Sequence, residues 1–246
     1  LQTGKTDEHS GTTGGAARNP ISEMVKVLAA CVDGDTGRIK IPGFSDDVRA
    51  LTPAERRDFR SSGFTLAQFK RDHNFKSVRA KDAMDAMVRA WAKPTFEIHG
   101  IRGGHMGDGV KTVVPHYAEA KVSTRLVPDQ DPNKQFRLVR DFVKSVNPDV
   151  KVTAEGSLAP HVSAIDGPWN DAVRSAMKFG FGKEPVFIRE GGSIGAVPTM
   201  EKVLGCPVVF LGLSLPEHGY HAPNENFDWG QASGGIASFA HLFRSA

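Results

Sequence analysis

The sequence predicts an α/β protein in two unequal parts, and three patterns carry that prediction. Apolar residues recur at helical spacing over 20–31 and 83–91, alternate with polar ones over 96–100 and 118–126, and after Gly156 strand-like and helix-like segments take turns. The first two patterns read as a helix layer on an antiparallel sheet, across residues 1 to about 156. The third reads as the closing part of a parallel-sheet α/β domain, over 157–246.

The elements follow in order. Asp7-Glu8-His9-Ser10-Gly11, with Gly14-Gly15 behind it, reads by composition as a Gly/Ser loop after an edge strand. Asn19 and Pro20 read as an N-cap and first helical residue, and Ile21, Met24, Val25 and Leu28 supply the apolar stripe of a helix to about residue 31. Residues 32–76 are polar and broken and read as an insertion. Within it, Thr52-Pro-Ala-Glu55 and Thr65-x-x-Gln68 have the form of capping boxes, so short helices are expected. Ala83, Met84, Met87, Val88 and Trp91 mark another helix, stopped by Pro94.

Beyond Pro94 the period changes to two. Phe96, Ile98 and Gly100, then Ala118, Ala120, Val122 and Leu126, predict strands with one wet face. Phe136, Val139, Val143 and Val146 predict a helix, and Val150, Val152 and Ala154 a strand. The later part is expected to hold a helix over 168–179, a strand over 186–189, a helix after Gly192 and a last helix bearing Ile236, Phe239, Leu242 and Phe243. The apolar run Pro207-Val-Val-Phe-Leu-Gly-Leu213 reads as a strand buried on both faces. These segments alone make an incomplete parallel domain, since such a sheet needs helices on both faces and more strands.

Composition excludes several classes. Apolar residues make up 39% and charged residues 24%, which excludes a disordered tail. A formal charge of +3 without a run of five like charges builds no phosphate-tracking stripe, so nucleic acid is not an expected partner. Cys31 and Cys206 lack Cys-x-x-Cys spacing, which argues against a disulfide framework and fits a cytoplasmic location. No window reaches the roughly 18 apolar residues of a membrane span.

Several stretches could carry chemistry, each beside a plainer reading. Gly103-Gly104-His105-Met106-Gly107-Asp108-Gly109 followed by Lys111-Thr112 looks like a phosphate loop, but Val110 stands before the Lys and a strand follows, so it reads as a connection. Arg125 ends the polar face of a strand, either as a solvated edge or as a bidentate carboxylate binder. Arg189-Glu190-Gly191-Gly192-Ser193 lies where a strand gives way to a helix, as a structural turn or as a carboxylate-binding helix start. His221 lies in a polar loop after the apolar run, where open α/β sheets place ligands; it is exposed or a zinc ligand. His218 has the weaker case and is left unassigned.

Together these stretches resemble the M20 family of dinuclear metallopeptidases, most closely its carnosine dipeptidase branch. The likeness runs through Asp7-Glu-His-Ser-Gly11, Asn19-Pro20, Ile41-Pro-Gly43, Lys111-Thr-Val-Val-Pro115, Arg125-Leu-Val-Pro128, Arg189-Glu-Gly-Gly-Ser193, Gly219-Tyr-His221 and Asn224-Glu225, in order along nearly the whole chain. The resemblance implies that residues 1–156 are a lid, or dimerisation, domain with its insertion, and that 157–246 are the carboxy-terminal part of a zinc-peptidase catalytic domain.

It also implies dipeptide hydrolysis with two divalent ions, zinc or manganese, and a homodimer formed through the lid. By the same analogy His221 is a metal ligand, Arg125, Gly192 and Ser193 hold the substrate carboxylate, and Thr112 and His9 reach into the neighbouring subunit's site, His9 steadying the oxyanion. Hydrolysis of N-acyl amino acids and a non-catalytic dimerisation module are the competing expectations.

One departure bears on all of this. The family's other metal ligands and its general base come from a His-x-Asp pair and adjacent Glu residues, and neither pattern occurs in this sequence. A single His cannot hold a catalytic metal that needs about three protein ligands. The chain by itself is therefore expected to bind zinc weakly and to hydrolyse nothing, and Leu1 reads as an internal residue of a longer dipeptidase.

Overall fold

The computed structural model describes residues 1–190, 194–220 and 223–245. Along the chain run β1 (Glu8–His9), α1 (Ser10–Thr13), α2 (Pro20–Cys31), α3 (Pro53–Ser61), α4 (Leu66–Asp72), α5 (Ala83–Trp91), β2 (Thr95–Arg102), β3 (Val113–Val114) and β4 (Glu119–Arg125). The remaining elements are α6 (Pro132–Val146), α7 (Pro168–Phe181), α8 (Ala196–Leu204), a 3₁₀ turn (Pro216–His218) and α9 (Trp229–Ser245). The fold mixes helices with small antiparallel sheets, as expected. It divides into two compact units, Leu1–Arg49 with Lys93–Pro160 and Ala50–Ala92 with His161–Ala246.

In the first unit, Asn19 caps α2 by accepting from the Ile21 and Ser22 amides, and Pro20 supplies a preset first helical residue. Met24, Val27, Leu28 and Cys31 then fall on one face and are buried. Asp131 caps α6 in the same manner, accepting from the Lys134 amide. Val27 and Cys31 of α2 meet Val143 of α6, Phe96 of β2, and Ile41, Phe44 and Val150 in one core. Burial pushes the Cys31 thiol up to about 11. The buried Gln130 closes this core: its Nε2 donates to the Phe44 carbonyl at 2.7 Å, and its Oε1 accepts from the Val127 amide at 3.0 Å.

Two short ladders frame this unit. β1 pairs with β3, Glu8 opposite Val114 and His9 opposite Val113. β2 pairs with β4 from Thr95 opposite Arg125 to Arg102 opposite Glu119, and the register shifts between Ile98 and Gly100. That shift inserts His99 as an extra residue, so the simple alternation expected through Gly100 ends at Ile98. The strand expected over 150–154 forms no ladder. Val150 and Val152 spend their apolar surface on the core instead, after a turn in which the Val150 amide donates to the Asn147 carbonyl.

The insertion expected over 32–76 is apportioned differently. Residues 32–49 stay with the first unit, where Val32 bridges to Ile39 and Ile41 and Phe44 enter the core. Residues 50–92 group with the carboxy-terminal residues. The capping box at Thr52 is complete: Thr52 Oγ1 accepts from the Glu55 amide, and Glu55 Oε2 accepts from the Thr52 amide at 2.8 Å. Thr65 likewise caps α4 by accepting from the Gln68 amide. Phe59 and Trp91 meet edge to face at 5.1 Å inside a cluster with Leu51 and Met87.

Charge explains why α3 lies with the later residues. Arg189 Nε donates to Glu55 Oε1 at 2.8 Å and its Nη2 to the same oxygen, both side chains being less than a tenth exposed. One turn on, Asp58 Oδ2 accepts from the Phe187 amide at 3.2 Å and from Arg174, whose guanidinium lies over the Phe187 ring. The Phe187 amide and two nitrogens of the Arg189 guanidinium thus find acceptors on α3 side chains, and the expected strand forms no ladder there.

The run 207–213 also forms no ladder. The Val208 carbonyl accepts from Ser163 Oγ, and Phe210 is 47% exposed, so burial on both faces is not what the structure has. The helices of this unit behave as expected. α7 and α9 pack against each other through Gly180, where a side chain would meet Ser238 and the Gly234 carbonyl.

Burial opposes ionisation of Glu55, but the Thr52 amide and the Arg189 guanidinium outweigh it and hold the carboxyl below its usual range. A carboxyl with a depressed folded-state pKa contributes stability above its unfolded value, and that contribution is lost as pH falls through the folded one. Glu55→Gln is expected to cost about 3 kcal/mol at neutral pH by leaving Arg189 buried opposite a neutral partner. Urea unfolding at pH 7 and again near pH 4 checks this, the gap between wild type and variant narrowing in acid.

Candidate functional site

His9 closes β1 and is at once the N-cap of α1. Its extended backbone (φ −67°, ψ 123°) lets the chain leave the ladder and enter the helix at a single residue. The Gly11 amide donates to His9 Nδ1 at 2.9 Å, and the Thr12 and Thr13 hydroxyls donate to the His9 carbonyl at 2.8 and 3.2 Å. Thr112 immediately precedes β3, and its carbonyl accepts from the Ser10 amide at 2.9 Å. His9 pairs with Val113, so Thr112, distant in sequence, is brought beside the end of the ladder that His9 closes, and both are exposed.

Sequence reading did not find what fixes that ladder. Asp7 Oδ1 accepts from the His116 backbone amide at 3.1 Å and lies 2.6 Å from His116 Nδ1. Hydrogen bonds from the His116 ring and then its amide hold the Asp7 carboxyl below its usual range. The Asp sits two residues before His9 in the sequence, just ahead of β1, but its partner comes from beyond β3 and leaves no local signal.

Arg125 ends β4 opposite Thr95 and is exposed at the rim of the other sheet. Gly192, Ser193 and His221 lie outside the described residues. Among the described residues no group of three or more His, Cys, Asp and Glu side chains is placed to hold a metal ion.

His218 is a buried structural residue. Its Nδ1 accepts from the Leu215 amide at 3.1 Å, its Nε2 lies 2.8 Å from Asp228 Oδ2, and its carbonyl accepts from the Asn226 amide. The Gln231 amide and then His218 hold the Asp228 carboxyl below its usual range. These bonds join Leu215 to the start of α9, on either side of position 221.

The glycine-rich stretch 103–109 connects β2 to β3 and opens no helix, so it is a loop as expected. Gly104 adopts φ 63°, a left-handed conformation that favours glycine.

Residues 3–151 match the family model of the peptidase dimerisation domain of the M20 group. The chain belongs to the M20 peptidase dimerisation-domain family. Over 233 residues, 90% of this chain and 47% of the relative, it is 33% identical to the Cys-Gly metallodipeptidase DUG1 of Candida albicans. It is 29% identical to the Beta-Ala-His dipeptidase of Homo sapiens, covering 96% of this chain and 48% of the relative. The solved M20 family metallo-carboxypeptidase Sso-CP2 from Sulfolobus solfataricus superposes with a TM-score of 0.90 at 29% identity, over 99% of this chain and 56% of that one. This M20 chain therefore spans about half the length of the curated relatives it matches.

Two of these relatives are named for a metal, as a metallodipeptidase and a metallo-carboxypeptidase. No helix among the described residues is long and apolar enough to cross a membrane.

Replacing Asp7 by Ala removes the acceptor shared by the His116 amide and ring. Amide exchange at Ser10 and His116 is expected to speed up while exchange in α2 and α6 stays as it was; hydrogen exchange followed by NMR checks both.

Proposed function

We propose that this chain is the lid and carboxy-terminal part of a metal-dependent dipeptidase. The observation that carries the reading is the placement of His9 beside Thr112 at the end of one ladder, in a chain whose relatives are metallodipeptidases. In this reading the catalytic part is residues 157–246, and the grouping of His161–Ala246 with Ala50–Ala92 in one compact unit supports it.

Each side chain then has a role fitted to its chemistry. The planar fork of Arg125 binds the terminal carboxylate of the substrate bidentately, and Gly192 and Ser193 complete that pocket with backbone and hydroxyl donors. Thr112 and His9 act on the neighbouring subunit of a homodimer built through the lid. His9 donates a hydrogen bond to the oxyanion that develops as the peptide carbonyl becomes tetrahedral, which favours the transition state over the ground state. His221 is a ligand for one of two divalent ions, zinc or manganese. Two unpaired cysteines fit a cytoplasmic setting.

The remaining ligands and the general base must come from polypeptide with His-x-Asp and Glu-Glu patterns, which this sequence does not contain. The purified chain with zinc or manganese added is accordingly expected to show no dipeptide turnover; turnover at stoichiometric metal overturns that ligand assignment. Light scattering at micromolar concentration is expected to give a dimer, and a strict monomer counts against His9 acting in trans.

Fused behind the amino-terminal half of a DUG1-type relative, the chain is expected to hydrolyse a dipeptide. In that fusion His9→Ala lowers kcat by about 10²–10³ with little change in KM, as loss of one oxyanion donor does. A folded, metal-loaded fusion without turnover sinks the dipeptidase reading.

A further inference from the structure

We infer that Gly11 is the positioning residue of His9: its amide holds the imidazole in the form that carries its proton on Nε2, and its missing side chain leaves the ring the space to stay there. The inference deepens the oxyanion role proposed above and rests on that reading for its catalytic meaning.

Three observations support it. The Gly11 amide donates to His9 Nδ1 at 2.9 Å. A neutral imidazole has one N–H and one lone pair, so a ring that accepts at Nδ1 bears its hydrogen at Nε2. The outer nitrogen is then a donor, which an anionic oxygen requires; the other tautomer would turn a lone pair toward it.

Second, a Cβ built on Gly11 would lie 2.8 Å from His9 Cε1 and 2.9 Å from Nδ1, closer than such atoms approach. Third, Gly11 is not needed for its backbone. It lies in the first turn of α1 and is not among the residues of positive φ, so any amino acid could adopt its conformation. What excludes a side chain at this position is the His9 ring.

The capping role makes the same point. Helix N-caps are filled by Ser, Thr, Asp or Asn, whose short side chains reach the amide of the second or third helical residue. Here His9 fills that role through Nδ1, so the bond that caps α1 is also the bond that selects the tautomer. The Thr12 and Thr13 hydroxyls on the His9 carbonyl fix the backbone from which the ring projects.

The test uses the whole chain labelled with ¹⁵N, at a pH where the imidazole is neutral. The wild type is expected to show scalar coupling across the hydrogen bond between the Gly11 amide nitrogen and His9 Nδ1, with His9 in the Nε2–H form. Gly11→Ala is expected to abolish the coupling and move both ring nitrogens toward the average of the two tautomers. The amides of Ser10 and Val113 should keep their shifts, which separates a displaced ring from a lost fold, and Ser10→Ala should leave the coupling intact.

A wild-type ring protonated on Nδ1, or ring nitrogens that do not respond to Gly11→Ala, overturns the inference. The wild-type measurement stands whether or not the variant folds. In the fusion, Gly11→Ala is expected to lower kcat in the same sense as His9→Ala. If the coupling is present and His9→Ala leaves kcat unchanged, it is the oxyanion reading that fails, and with it the catalytic meaning given to Gly11.

Discussion

The roles proposed for His9, Thr112 and Gly11 depend on a ladder of two residues against two. β1 and β3 are too short to persist as an isolated ribbon, and an isolated pair of strands has little stability in water. Their pairing survives because both ends are held. On one side the Asp7 carboxylate takes two bonds from His116, and on the other the Ser10 amide reaches the Thr112 carbonyl. Further along, the Leu1 nitrogen donates to the Ala118 carbonyl at 2.9 Å and the Ala118 amide returns a bond to the Leu1 carbonyl. The ladder is thereby tied to the face of α2 that presents Met24 and Leu28, against which Ala118 packs. An exposed histidine gains a defined direction from a core it never touches.

The two units solve the same problem with different physics. The first relies on apolar burial around Cys31 and Phe44, with Gln130 satisfying the Phe44 carbonyl inside it. The second joins distant segments through charge, Glu55 with Arg189 and Asp58 with Arg174. A buried ion pair is weak evidence of net stability, because desolvation offsets most of its attraction. It does specify a partner: no other alignment of α3 would give Arg189 a carboxylate whose second oxygen is already used by the helix's own cap.

What the sequence made legible was local. Asn19-Pro20, Thr52 with Glu55, and Thr65 announce helix starts because a cap and its amides lie within three residues of each other. Period-two segments around Phe96 and Val122 announce strands, and they found each other as partners. Illegible were the features that depend on a second segment. Residues 207–213 have the composition of a strand, but a strand is a relation to a neighbour, and there the neighbouring contact is a serine hydroxyl.

The same limit governs the site. His9 and Thr112 could be named from a resemblance of motifs, and their adjacency needed the ladder. Arg189 was noticed as the first residue of a glycine-rich turn, while its bond to Glu55 needed the fold. Gly11 was visible as part of a motif, but the space it leaves could be seen only once the ring beside it had a position.

The core around Cys31 has a chemical consequence of a different kind. A thiol with no exposed surface and a pKa near 11 offers almost no thiolate at neutral pH and no path for a reagent. The chain's other cysteine, Cys206, is exposed just after the end of α8. Native protein treated with a maleimide will therefore accept one label, on the second unit, without any cysteine being engineered in or out. Unfolding of the first unit would expose the second thiol, so the number of labels attached reports whether that core is closed.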